Sequence, residues 1–209
     1  MTPIFIPQLR IVSTMGLLTL VFGSVLAMLF LCGGGYLLYN RYFKKPPEDI
    51  MMELAGELGI RYYPREEGKP PFSTGTYSGR GVTLDLMNEK GYMDRWHPHS
   101  RVVVSVSKDV RDTHIVAYRG RFYSRKLGEV DVNNTKFTSK YILLSSAPKK
   151  AERLITPDVA GWVVKLDMPF VLSDGHAVFH QEKHFDDEER VKHIIDALVY
   201  VATMAERLR

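Results

Sequence analysis

Three histidines near the C-terminus have a spacing that could serve metal binding. His176, His180 and His184 are four residues apart, and on a helix this spacing would form one ligand face for zinc. The neighbouring Val178 and Phe179 favour a strand instead. On a strand the three share a face but lie about 13 Å apart at each step, too far for a single ion. We interpret them as a solvated strand face and predict no metal ligands and no cofactor.

A second histidine pair, His97 and His99, lies in a long, polar and aromatic stretch over Asn88–Ser100, which we predict to be a loop. This pair could join His176 or His184 in a metal or haem site if the fold brought them together. Nothing in the sequence indicates that it does.

Enzyme signatures are absent from the sequence. There is no Gly-x-Ser-x-Gly elbow, phosphate-binding loop, His-Glu-x-x-His motif or Gly-x-Gly-x-x-Gly motif after a strand. Asp85, Asp94 and Asp109 are scattered acids without acid–base spacing. The single cysteine, Cys32, excludes an internal disulfide framework and a cysteine-based zinc site. We predict a protein that is not an enzyme.

A basic–aromatic cluster follows Tyr118, across a predicted turn. On a free protein such a cluster could bind RNA, but beside a bilayer an anionic lipid or an acidic partner is the nearer target. An ordinary solvated hairpin tip is the alternative. We predict lipid or partner contact, and no nucleic acid, for Arg119, Arg121, Phe122, Tyr123, Arg125 and Lys126.

The elements that would position these residues begin with a long apolar segment. Residues 11–39 carry no charge, and about 20 apolar residues suffice to cross a bilayer. A cleaved signal peptide would have a run about half as long. A lipoprotein signal would need a small residue where Leu31 precedes Cys32. The segment therefore predicts a single-pass transmembrane helix.

Small residues mark one side of that segment. Gly16, Gly23, Ala27 and Gly34 fall within roughly 40° of one line on a helix. Small residues let membrane helices approach closely, so this face predicts packing against other membrane subunits. Glycine is also common in membrane helices, so an incidental face remains open.

Flanking charge sets the predicted orientation. Arg10, Arg41, Lys44 and Lys45 precede the first acidic residue and account for the net charge of +4. The excess after the segment favours a cytoplasmic C-terminal domain. The predicted regions are an extracytoplasmic N-terminus over 1–10, a transmembrane helix over 11–39, a basic linker over 40–47 and a cytoplasmic domain over 48–209.

The rest of the chain predicts an α+β domain, a mostly antiparallel sheet covered by helices. A helix runs from Pro47 to Gly59, and Thr156 caps another. The stretch Tyr141–Ser146 predicts a central strand. A long C-terminal amphipathic helix follows an N-cap at Asp186. Hairpins are predicted at Gly79–Gly81 and Ser173–Gly175.

Four stretches of the domain resemble uncharacterised bacterial proteins that carry an N-terminal membrane helix and an α+β domain. They are Gly75–Gly81, Phe137–Ser146, Leu154–Asp158 and Phe170–Gly175, and the resemblance covers about half of the chain. It implies a module anchored in the bacterial inner membrane, with no catalytic residues to carry over.

Together these features predict a non-catalytic, single-pass accessory or assembly subunit. Its helix would pack in, and its cytoplasmic domain dock on, a larger energy-converting, photosynthetic or transport complex in the membrane. A membrane-tethered ligand- or metal-binding sensor is the alternative, and a tethered enzyme of unrecognised type is a third.

Overall fold

A computed structural model describes residues 21–35, 45–67, 69–90, 96–107, 115–118 and 127–208. The chain divides into two compact units, Met1–Lys45 and Pro46–Arg209. The first unit contains helix α1 over residues 21–35, and the second contains the α+β domain.

The prediction of a transmembrane helix in this fold is wrong. Across the described residues, no helix combines the length and the apolar character needed to cross a bilayer. Of the charge-free run 11–39, the structure describes residues 21–35, which lie in α1.

The domain is organised around one sheet of nine strands, in the order β1-β2-β3-β4-β9-β8-β5-β7-β6. Every described strand pairing is antiparallel, which confirms the prediction for the sheet. The strands are β1 Arg61–Tyr63, β2 Phe72–Tyr77, β3 Arg80–Lys90, β4 Trp96–Ser105, β5 Ile115–Tyr118, β6 Gly128–Val130, β7 Ile142–Ser145, β8 Phe170–Ser173 and β9 His176–Gln181.

Five helices accompany the sheet. The long C-terminal helix is confirmed, although its N-cap is Asp187, whose side chain accepts a hydrogen bond from the Arg190 amide, and not Asp186. Strand β7 lies one strand from the β6 edge, so the prediction of a central strand at Tyr141–Ser146 is wrong. The helices are α2 Pro47–Leu58, α3 Thr135–Thr138, α4 Pro148–Leu154, α5 Pro157–Leu166 and α6 Glu188–Arg207.

Two tight turns fix the hairpins that the sequence predicts. Ser78 and Gly79 have φ of 48° and 75°, and Asp174 and Gly175 have φ of 51° and 76°. Two successive residues in the left-handed region match the twist of the flanking strands, and Gly enters that region at low cost. The β2–β3 and β8–β9 pairings therefore have their register set locally.

The described parts of the stretch Asn88–Ser100 are strand and not loop. Strand β3 continues to Lys90 and β4 begins at Trp96, with Met87 paired to His99. Pro98 fits because β9 pairs with β4 only from Ser100 onward, so Pro98 lies where β4 has one neighbour. The polar composition did not indicate these strands, because the backbone hydrogen bonds that pair β3 with β4 do not depend on the type of side chain.

One face of the sheet carries the core. Val82, Leu84, Val102 and Val104 are fully buried and belong to the same cluster as the apolar side chains of α2, α5 and α6. Their strand neighbours alternate to the other face, because successive side chains of a strand point in opposite directions. On that second face Val103 and Val178 are half-buried and Val171 is exposed, and we call it the open face.

Candidate functional site

A row of valines crosses the open face. Val103 of β4 lies opposite Val178 of β9, and Val178 lies opposite Val171 of β8. Directly opposed residues have Cβ atoms about 5 Å apart, so the three side chains form a continuous apolar strip. Val171 is 38% exposed, and the other two are half-buried. We call this strip the valine row.

Polar side chains border the valine row. On one side, Arg101 donates from Nε to Asp85 Oδ2 at 2.8 Å, and its second nitrogen lies 2.7 Å from the same oxygen. His180 is the cross-strand neighbour of Arg101 on β9. Ser105 and His176 face each other on the opposite side of the row. The open face is thus an apolar strip between two polar borders.

The fold brings some of the candidate histidines into contact. His99 and His180 stack with ring centroids 4.8 Å apart and an angle of 13° between the rings. His176 and His180 are exposed on one face of β9, as predicted for a strand. His184 lies beyond β9, with Nε2 3.3 Å from the carbonyl oxygen of Met87.

The described ranges contain no group of three or more metal-ligating side chains placed to hold an ion. His97 and His99 lie in strand β4 and not in a loop. His99 thereby joins His180. The two imidazole rings therefore stack on each other and form part of the polar border of the valine row.

A partly buried ion pair holds the end of helix α6 against the sheet. Arg80, in the β2–β3 hairpin, donates to the two carboxylate oxygens of Glu206 at 3.0 and 2.8 Å, and to the carbonyl oxygen of Ser105 at 3.2 Å. The amide of Ser107 donates to Glu206 at 2.6 Å. These hydrogen bonds hold the pKa of Glu206 at about 2, well below the ordinary 4.5. The end of β4 is therefore fixed by charge-assisted contacts.

The predicted site residues lie elsewhere. Gly23, Ala27 and Gly34 belong to α1, and a Cβ at either of these two glycines would meet nothing within 4 Å. Gly16 lies outside the described residues, so packing through this set stays a prediction. The basic–aromatic cluster also lies outside them, and its lipid or partner contact likewise stays a prediction. Its members are Arg119, Arg121, Phe122, Tyr123, Arg125 and Lys126.

The valine row is not predictable from the sequence alone. Within each strand, alternation is visible, and Val102 and Val104 are buried as their alternation with Ser105 and Ser107 predicts. Because Val103 lies between them, its side chain must point to the opposite face, and this much can be predicted from the sequence. That Val103 lies opposite Val178 cannot be predicted, because β4 and β9 meet only through the register of the folded sheet.

Comparison with known proteins shows a shared fold. No family model and no curated protein matches the chain. The crystal structure of the mycobacterial trehalose monomycolate transport factor A is similar, with a TM-score of 0.51 and 9% identity. The match covers 78% of this chain and 93% of that one. At this identity the likeness concerns the fold alone, and the resemblance to membrane-anchored bacterial proteins stays a prediction.

Proposed function

We propose that this protein is a non-catalytic accessory subunit whose α+β domain docks on a larger membrane complex. The observation that carries the proposal is the valine row on the open face. The occupant we propose for this face is a partner protein that presents an apolar strip flanked by carboxylates. The proposal concerns the domain and does not require a membrane-spanning helix in this chain.

The apolar strip supplies the driving force. Aliphatic side chains on a half-solvated sheet are stabilised when a partner removes them from water, by about 25 cal/mol per Å². Val171, with 38% of its surface exposed, has the most to gain. A flat row of valines across three strands also offers shape complementarity to another apolar surface, which is where interface energy concentrates.

The polar residues that border the valine row would orient the partner. His176 and His180 are exposed imidazoles, and Arg101 keeps 43% of its side chain exposed while bound to Asp85. Carboxylates on a partner would accept hydrogen bonds from these groups at the rim. Such contacts give specificity and a fixed register more than raw affinity.

The comparison supports one kind of complex as the proposed host. The structural neighbour is described as a trehalose monomycolate transport factor. A shared fold favours a transport complex over the energy-converting and photosynthetic ones that the sequence also allowed. Fold likeness is an argument by analogy, so the cargo of the neighbour is not transferred to this chain.

The test compares two exposed apolar positions. A photo-crosslinking residue replaces Val171 on the open face or Met52 on α2, which is 51% exposed. In intact cells, position 171 should give a discrete crosslinked product that position 52 does not give. The variant Val171→Lys should abolish co-purification of that partner, while Met52→Lys should not.

Folding is checked in the same experiment. Both lysine variants should keep the unfolding midpoint of the wild type within a degree or two, because both positions are exposed. Equal partner recovery from Val171→Lys and wild type would contradict the proposal. So would crosslinking that is equally strong from positions 52 and 171.

A further inference from the structure

A second surface feature lies between α5 and α6, on the helix-covered side of the sheet. It is a cavity of about 340 Å³, within the range of small-molecule sites. Trp162 and Leu166 line it from α5, and Tyr200 lines it from α6. Trp162 and Tyr200 meet edge to face, with ring centroids 4.8 Å apart and an angle of 85°. We call this cavity the α5–α6 pocket.

The helical repeat explains the pocket. Trp162 and Leu166 are one turn apart on α5, and His193, Asp196 and Tyr200 follow the i, i+3, i+7 spacing of one α6 face. Trp162 and Tyr200 are only half-buried, although both pack against the core. Both rings therefore keep apolar surface that another flat group could cover.

Polar groups stand at the rim of the pocket. Lys165 is exposed and lines the pocket. His193 also lines it, with Nε2 3.7 Å from a carboxylate oxygen of Glu189. Both groups can donate hydrogen bonds to an anion.

Asp196 is the anionic member of the rim. Its Oδ1 accepts a hydrogen bond from the hydroxyl of Tyr77 at 2.8 Å. That bond, more than burial, raises the pKa of Tyr77. Lys165 therefore supplies the cationic group of the rim, above an apolar floor formed by Trp162, Leu166 and Tyr200.

We infer that the α5–α6 pocket binds a small aryl carboxylate, whose ring covers Trp162 and Tyr200 and whose carboxylate contacts Lys165. The inference is independent of the proposed docking function, because the pocket lies on the helix side and the valine row on the opposite face. An aromatic ring gains offset or edge contacts with the two side chains. A carboxylate gains one ion pair at an exposed site.

The test uses three probes with the same ring: phenylacetate, the neutral phenylacetamide and the cationic phenethylamine. The full-length chain carries Trp96→Phe, so that Trp162 is the remaining one of its two tryptophans. Fluorescence of Trp162 should change saturably with phenylacetate. The affinity for phenylacetate should be about threefold to fivefold higher than for phenylacetamide, and phenethylamine should bind most weakly.

Two charge variants should change the affinity for phenylacetate in opposite directions. Lys165→Met should reduce the affinity for phenylacetate to that for phenylacetamide. Asp196→Asn should raise the affinity for phenylacetate, because it removes a like charge while its amide oxygen can still accept from Tyr77. Lys149→Met removes an exposed lysine on α4 and should have no effect.

Three outcomes would overturn the inference. These are no saturable fluorescence change, equal affinity for the three probes, or preference for phenethylamine. An equal effect of Lys149→Met and Lys165→Met would also overturn it, since the attraction would then be a property of overall charge. Loss of partner docking in Val171→Lys leaves all of these results unchanged, so the two proposals fail separately.

Discussion

Replacing Glu206 by Gln tests the contact that joins the end of α6 to the sheet. The substitution keeps the shape of the side chain and an oxygen that can accept from the Ser107 amide. It removes the negative charge that faces Arg80, whose guanidinium contacts both carboxylate oxygens. The remaining Oε1 can still accept from Arg80 Nη1, but the contact of Nη2 with Oε2 is lost, and Nη2 then keeps the hydroxyl of Thr203 as its described partner.

The expected loss in the free energy of unfolding follows from the pKa of Glu206. A decrease from 4.5 to about 2 corresponds to about 3 kcal/mol if it is fully expressed as stability. Glu206 and Arg80 are 24% and 14% exposed, so the solvent screens part of the attraction. We expect Glu206→Gln to lower the free energy of unfolding at pH 7 by about 1–2 kcal/mol.

The pH dependence has a definite sign. The folded-state pKa of Glu206 lies below its ordinary value, so this stabilisation is fully present above about pH 4.5 and is lost as the pH falls toward 2. Wild type should therefore lose stability over this window faster than Glu206→Gln does. The difference between the two proteins should approach zero near the lower limit.

Urea unfolding of the full-length chain, followed by far-UV circular dichroism, measures both effects. Arg80→Met, alone and combined with Glu206→Gln, completes a double-mutant cycle, with an expected coupling of about 1–2 kcal/mol. Glu152→Gln, at an exposed position of α4, is the matched control and should change nothing. Unchanged stability of Glu206→Gln at pH 7, or a deficit that persists at pH 2, would refute this reasoning.

Two local features give further predictions. The Thr156 hydroxyl accepts from the Val159 amide at the start of α5, so Thr156→Ala should cost about 1 kcal/mol in urea unfolding, whereas rescue by Ser should be nearly complete. A Cβ at Gly75 would lie 2.9 Å from the Cβ of Ile60, so Gly75→Ala should destabilise the protein by about 1–3 kcal/mol. Gly161→Ala, where nothing lies within 4 Å, should be neutral or stabilising by up to about 1 kcal/mol. Equal thermal midpoints for the two alanine variants would contradict the steric argument.

Several elements were determined by the sequence itself, because a few neighbouring residues encode each one. Thr156 followed by Pro157 starts α5, and Gly59 ends α2 in the left-handed conformation. Asp174 and Gly175 form the tight turn between β8 and β9. Caps and turns are satisfied by hydrogen bonds over three or four residues, so no knowledge of the fold is needed to find them.

Other predictions were wrong because they relied on amino-acid composition. The polar run over Asn88–Ser100 predicted a loop, yet most of it extends the β3–β4 hairpin, which is stabilised by backbone pairing between distant halves of the run. The charge-free segment 11–39 predicted a transmembrane helix, whereas no described helix is long and apolar enough to cross a bilayer.

The candidate sites were decided by the tertiary structure alone. Arg80 and Glu206 are 126 residues apart, and Trp162 meets Tyr200 only because α5 packs on α6. The valine row depends on which strands are neighbours, and a register shift of one residue would turn an entire strand over. Local sequence determines which side chains point out of each element. Long-range packing, which buries the opposite faces together, determines which of those side chains meet.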